Sequence, residues 1–342
     1  MIMHPIRIAI DVMGGDFAPL NEIQGAILAS KKFKELSIDV EFIFVGKEEA
    51  IKAAMKGLSF PHLHYSIQHA DDIVTMHDDP TSVLKSKRNS SLFMGIDMHA
   101  RGNADAFVSA GNTGAVMSTA TVFLGRIKGV SRPTIGTFLP TQHGRPVFLL
   151  DVGATIECKP RFLYEYAIMG DVYSRIVLGI EKPKIGLLNI GEEETKGIEP
   201  ILQTHALLRE SSLNFIGNVE GRDVLAGTSD VVICDGFVGN IVLKFAESML
   251  GLLKAKIKGF AAIGFLNKLM VMLMLIPLKK ILKDFDYQEY GGVPLLGVNG
   301  VVIIGHGKSS PLALQNMLIR AVEVIQGNVN QSIKDALSTV TE

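Results

Sequence analysis

Short apolar runs alternate with helix-length segments along nearly the whole chain, and this alternation restricts the fold more than any other feature. "RIAIDVMGGD" leads into a helical stretch from Asn21, "VEFIFVG" into another from Lys47, and "LHYSIQHA" into a third after Pro80. "ADAFVSAGNTGA", "PVFLLDVGA", "KIGLLNIG", "LNFIGNVEG", "DVVICDGFVGN" and "GVVIIGHG" continue the pattern. Apolar runs separated by helices predict a largely parallel sheet covered on both faces, a three-layer αβα body. The 342 residues suit one large α/β domain, with neither a repeat of fixed period nor a low-complexity linker to divide it.

Glycine gathers where these strands end: Gly14 and Gly15, Gly111 and Gly114, Gly153, Gly191, Gly217, Gly236 and Gly239, Gly305 and Gly307. In parallel sheets ligands bind beyond the carboxyl ends of the strands. Glycine there lets backbone N–H groups approach an anion, and the next helix adds its positive end. The polar neighbours of these glycines predict one convergent site for phosphate. Its members are Asp11, Gly14, Gly15 and Asp16 in the first turn, and Ser109, Gly111, Asn112, Thr113 and Gly114 in "SAGNTGA". Asp151, Asn189, Gly236, Asn240 and His306 complete it from other strand ends. Neither Gly-rich turn has the Gly-Lys-Ser/Thr ending of a nucleoside-triphosphate loop or the GxGxxG spacing of a dinucleotide site.

In "NIGEEETKG", Glu192 to Glu194 suit a helix start, where acidic residues match the dipole, but Lys196 works against it. A lysine there offsets a bound phosphate or a developing oxyanion. Asp235 in "CDGFVGN" can orient phosphate or take its proton. Cys158 and Cys234 have no histidine arranged beside them, so a thiol nucleophile is not expected. His62, His64, Asp71, Asp72 and His77 lack a ligand pattern, and no metal or cofactor is expected.

The net charge of −1 argues against a nucleic-acid partner. The opening residues carry no signal-peptide pattern, which predicts a cytoplasmic protein. Mean hydropathy is nonetheless +0.29, and part of that comes from one segment. Between Gly259 and Leu278 the only charge is Lys268, and Pro277 stands near the far end. Two apolar helices meeting near Asn267 and Lys268 fit better than one membrane span. Lysines flank them at 254, 256, 258, 279, 280 and 283. Such an amphipathic hairpin, protruding over 251–283, suits an anionic membrane surface, a dimer interface, or both. Phe260, Ile263, Phe265, Leu266 and Lys268 are its candidate lipid contacts.

"AIDVMGGDFAP", "SAGNTGA", "DVGATIECKP", "LLNIGEEETKG", "NFIGNVEGRD", "CDGFVGN" and "YGGVPLLGVNGVVIIGHG" together resemble, in order, the phosphate acyltransferases of bacterial phospholipid synthesis. The resemblance runs from Ile8 to about Ser310. It implies an isopropylmalate-dehydrogenase-like fold, a homodimer, and peripheral attachment to the inner face of the cell membrane through the hairpin. The implied reaction moves a fatty acyl group from acyl carrier protein to inorganic phosphate. The product would feed an acyl-phosphate:glycerol-3-phosphate acyltransferase. The family's essential lysine and aspartate would fall on Lys196 and Asp235. The sequence departs from the family pattern at Thr155, where an asparagine is usual, and at Glu157, where an aspartate is. Rival readings are a coenzyme-A-dependent phosphotransacylase, a dehydrogenase of similar fold, and a membrane-docked scaffold without catalysis. Arg126, Lys128 and Arg132 form a candidate basic surface for the acidic carrier protein.

Overall fold

The computed structural model describes residues 4–283 and 292–339. Tyr290 and Gly291 of the last motif, and the side chains of Lys279, Lys280 and Lys283, lie outside the described residues. Among the described residues eleven strands form one sheet: β1 Ile6–Asp11, β2 Val40–Gly46, β3 His64–His69, β4 Ala106–Ser109, β5 Thr134–Leu139, β6 Val147–Leu150, β7 Ile185–Leu188, β8 Phe215–Val219, β9 Val231–Ile233, β10 Val293–Leu296 and β11 Val302–Ile304. Their spatial order is β3-β2-β1-β4-β11-β10-β5-β6-β9-β7-β8.

Among the described residues, eleven of twelve helices cover the sheet. On one face lie α1 Leu20–Glu35, α2 Glu48–Met55, α6 Pro160–Val177, α7 Glu199–Arg209, α11 Pro311–Gln326 and α12 Val329–Ser338. On the other lie α3 Pro80–Ser86, α4 Ser91–Ala100, α5 Thr113–Phe123, α8 Gly221–Ala226 and the first third of α9 Gly236–Ala262. The strands feed both cores by their two-residue period. Ile6, Ile8 and Ile10 of β1 enter the first core, while Ala9 enters the second. The predicted three-layer architecture is therefore present.

The sheet is mostly parallel, but β10 runs antiparallel to both β11 and β5, and β5 runs antiparallel to β6. Following the pairings, β1, β2, β3, β4 and β11 point one way, and β6, β7, β8 and β9 point the other. The carboxyl ends of the two sets open toward opposite edges of the sheet. Alternation of apolar runs shows that strands exist, not which way each one runs.

Helix starts follow local chemistry. Asp79 accepts hydrogen bonds from the Thr81 and Ser82 N–H groups with Pro80 at the first position of α3, and Ser310 precedes Pro311 in the same way on α11. Asn112 caps α5 by accepting from the Ala115 N–H at 3.1 Å.

The hairpin consists of α9 and α10 Phe265–Lys283, and it departs from the expected boundaries. Its first helix begins at Gly236, not Gly251, because the segment continues the helix that leaves β9. The join falls at Ile263 and Gly264, ahead of Asn267 and Lys268. There Gly264 accepts the first helical bond, from the Lys268 N–H. Helix α10 also continues past Pro277, which does not end it.

His99 links α4 to the sheet. Its Nε2 accepts a hydrogen bond from the Val301 N–H at 2.9 Å, which leaves Nδ1 to donate to the Ala104 carbonyl at 2.9 Å. Burial holds its pKa below the ordinary histidine value. The unfolded chain protonates this imidazole near pH 6.5, while the folded chain resists until lower pH. The unfolded state thus binds more protons below about pH 6.5, and stability must fall as pH drops through that range. Denaturation at several pH values between about 5 and 7 should show this slope, reduced in His99→Gln. Equal slopes in the two proteins would remove His99 as its source.

Candidate active site

The strand exits of β1, β4 and β11 lie side by side and build the first polar group. Asp11, the last residue of β1, is 1% exposed. Its Oδ1 accepts from Ser91 Oγ at 2.6 Å and the Met13 N–H at 3.1 Å, and its Oδ2 accepts from Ser109 Oγ at 2.8 Å. Burial raises the Asp11 pKa against the pull of these hydrogen bonds. A buried carboxyl with its oxygens engaged holds the turn together, so Asp11 braces the site and does not present itself to an anion. Ser109 is likewise engaged, donating to Asp11 and accepting from the Gly111 N–H at 3.0 Å.

The two glycine turns meet backbone to backbone. A side chain on Gly14 would begin 2.9 Å from the Gly111 Cα and 2.5 Å from Asp11 Oδ2, so the first turn tolerates no Cβ there. Asp16 donates its N–H to the Gly307 carbonyl at 2.8 Å, and Gly305 donates to the Ser109 carbonyl at 2.8 Å. These bonds bring His306 beside the turns, exposed, with Nδ1 accepting from the Lys308 N–H. Asn112 is fully used: besides its cap, Nδ2 donates to the carbonyls of Thr75 and Asp78, each at 3.1 Å. Gly114 packs on Pro80, and Thr113 stays exposed at the first turn of α5. Thr113, Asp16 and the turn N–H groups are thus what this group offers a ligand.

The exits of β6, β9 and β7 build the second group at the opposite edge. Asp151 is wholly buried and accepts from the N–H groups of Ile135, Ala154 and Thr155, at 3.3, 3.0 and 2.7 Å. Burial pushes its pKa up to about 6 even so. Like Asp11, it organises a loop. That loop wraps the start of α9, where the Gly236 N–H donates to the Thr155 carbonyl at 2.8 Å. Asp235 caps α9, its Oδ1 accepting from the Val238 N–H at 2.8 Å. Asn240 is half-buried beside Gly153. Thr155 turns its hydroxyl to the Tyr166 OH at 3.2 Å, and Glu157 is exposed.

Lys196 stands beyond β7, next to β9 in the sheet. Asn189 Nδ2 donates to its carbonyl at 2.9 Å, and its N–H donates to the Glu193 carbonyl at 3.1 Å. The following Gly197 has φ +100°, a left-handed conformation that glycine adopts without strain. The lysine side chain is exposed, with its stem over Gly191 and its amine in no ion pair among the described residues. The three glutamates do not start a helix, since α7 begins only at Glu199. Glu192 pairs with Arg222 at 3.0 Å and Glu194 with Arg209 at 2.9 Å, so they tie the loop to α8 and α7.

The expected single site is therefore two groups within one chain, separated by the strand reversal at β10 and β5. Sequence reasoning passed over Ser91, whose hydroxyl holds Asp11, and the Arg209 and Arg222 partners, because nothing local marks a contact made so far along the chain. Burial pushes the Cys158 thiol up to about 12 and the Cys234 thiol well above its ordinary value, which keeps both from acting as thiolates at neutral pH.

An apolar cleft of about 790 Å³ lies between α8, α9 and the end of β5. Leu139, Val224, Leu225, Val242, Phe245 and Ala246 help to line it. Gly221, at the start of α8, and His306, beside the first polar group, both border it.

Residues 6–332 match the model of a family described as fatty acid synthesis protein. A phosphate acyltransferase of Dictyoglomus turgidum is 43% identical over 98% of this chain and 99% of its own length. The chain belongs to the phosphate acyltransferase family. Another member, from Desulfitobacterium hafniense, is 45% identical with the same coverage. This protein is accordingly an acyltransferase. Among solved structures, a phosphotransacetylase from Streptococcus pyogenes superposes with a TM-score of 0.60 at 15% identity, covering 94% of each chain. A branched-chain phosphotransacylase from Enterococcus faecalis gives 0.57 at 16% identity, covering 94% of this chain and 99% of that one. These two establish the αβα fold that the phosphate acyltransferase shares.

Proposed function

We propose that this phosphate acyltransferase moves a long-chain fatty acyl group from acyl carrier protein to inorganic phosphate, releasing acyl phosphate for phosphatidic acid and phospholipid synthesis. The apolar cleft carries the reading: it adjoins the glycine turns through His306 and so places room for an acyl tail beside room for an anion. The helical segment from Ile241 to Leu253 that lines it is about 18 Å long, a span suited to a long acyl chain. A short-chain, coenzyme-A-dependent relative would have no use for such a cleft.

A phosphate oxygen attacks the thioester carbonyl carbon, the carbonyl oxygen takes up charge, and the C–S bond breaks as the C–O bond stays. The departing thiolate of the carrier's phosphopantetheine arm then takes a proton. Holding the two reactants together supplies much of the rate. Lys196 stabilises the oxyanion, and Asp235, whose Oδ2 takes no hydrogen bond among the described residues, orients phosphate or accepts its proton, the homodimer bringing this group of one protomer to the glycine turns of its partner. The core is of the isopropylmalate-dehydrogenase kind.

The rest of α9 supports a homodimer. Phe237, Ile241, Phe245, Met249 and Leu252 recur every three or four residues and are exposed, an apolar face that the described residues leave uncovered. At the far end Phe260, Ile263, Phe265 and Leu266 are also exposed, with Lys254, Lys256, Lys258 and Lys268 nearby in sequence. That tip suits the anionic inner face of the cell membrane, where a glycerol-3-phosphate acyltransferase would collect the product.

The test mixes purified protein with long-chain acyl carrier protein, with and without inorganic phosphate, and traps the product with hydroxylamine. Phosphate-dependent release of a trappable acyl phosphate is expected. Thioester loss that ignores phosphate would mean a thioesterase, and no loss would leave a scaffold.

A further inference from the structure

Beneath the Gly14–Gly15 turn lies a carboxyl group that this chemistry does not use. Glu22, in the first turn of α1, is 2% exposed. Its Oε1 lies 2.3 Å from the point where a side chain on Gly15 would begin. Glycine at 15 is therefore what allows the carboxyl to press against the turn. Its Oε2 meets no hydrogen-bond partner among the described residues. Three residues on, Gly25 closes the same helix against Leu314 of α11, so the approach from that side is apolar.

We propose that Glu22 is a positioning residue that gates the anion turn by its own charge: neutral, it lets Gly14 to Asp16 receive inorganic phosphate, and ionised, it repels it. The inference rests on the assignment of that turn to phosphate. An unpaired, buried carboxylate is costly, so the group keeps its proton until water is basic enough to take it. Burial and, to a smaller degree, the charge of Asp11 push the Glu22 pKa up to about 8.

Among the described residues, the segments hydrogen-bonded to the turn bring four other ionisable groups. Asp11 comes from β1, Asp16 from the turn itself, and His306 and Lys308 from the loop after β11. The first two turns of α11, Pro311 to Leu318, bring none. Proton linkage then sets the size of the effect. If binding requires neutral Glu22, phosphate affinity falls by about tenfold for each pH unit well above the Glu22 pKa. Inorganic phosphate is already dianionic there, so its own ionisation does not produce the fall.

The experiment measures equilibrium binding of inorganic phosphate to the full-length protein and to Glu22→Gln at about pH 7.5, 8.5 and 9.5, with circular dichroism at each pH to verify folding. The wild-type Kd is expected to rise about five- to tenfold between pH 8.5 and 9.5. In the variant, whose amide cannot ionise, the rise should stay below about twofold. A flat wild-type profile overturns the inference without reference to any variant, and so does a parallel rise in Glu22→Gln. Failure of either protein to bind phosphate at any pH would instead refute the assignment of the turn, and the gate with it.

Discussion

Lys196→Ala is expected to lower kcat/KM for phosphate-dependent deacylation by on the order of 10²–10³, the size of effect seen when one oxyanion donor is lost. The melting temperature should hardly move. The lysine side chain is exposed and forms no ion pair among the described residues, so its removal takes little from the fold. What places it is backbone: Asn189 on its carbonyl, the Glu193 carbonyl on its N–H, and the turn at Gly197. Alanine keeps all three. Steady-state rates together with thermal melts check both halves. An unchanged rate would take Lys196 out of the chemistry.

Gly239→Ala should act on the opposite property. A methyl group there would sit 1.8 Å from the Asp151 carbonyl oxygen and 2.8 Å from Cys234 Sγ. The oxygen belongs to backbone at the exit of β6, so it cannot swing aside as a side chain would. Relief requires α9 to lift from the sheet or the Asp151 loop to move, and overpacking of that kind costs about 3 kcal/mol or more. Gly251→Ala, in the same helix with nothing near its Cβ among the described residues, is the matched control and should stabilise by up to about 1 kcal/mol. Urea denaturation of the two variants decides the matter. Similar midpoints would mean that the close approach at Gly239 is not what seats the helix.

Much of this was legible in the chain. Apolar runs became strands because each is short and β-branched, and the glycines at their ends mark the turns where side chains have no room, as at Gly14 and Gly236. The role of Asp235 was half legible: a strand-end aspartate before glycine is a helix cap, and it is one here. What the residues could not announce is anything that depends on strand direction. The reversal at β10 and β5 sends "SAGNTGA" and "CDGFVGN" to different edges, though both read as the same kind of turn. Long-range pairing was equally silent. Asp11 looked like a ligand because its partner Ser91 lies 80 positions away, and the glutamates looked like a helix start because Arg209 and Arg222 follow them on other helices.

Helix α9 has 27 residues, a rod about 40 Å long, yet only Gly236 and Gly239 are buried. Beyond its first turns the rod does almost nothing to hold its own body together. Its outer residues can therefore drift through sequence space at no cost to folding. Whatever pattern persists there in other members of the lineage is a record of what the rod touches outside its own chain, kept by selection on contact alone.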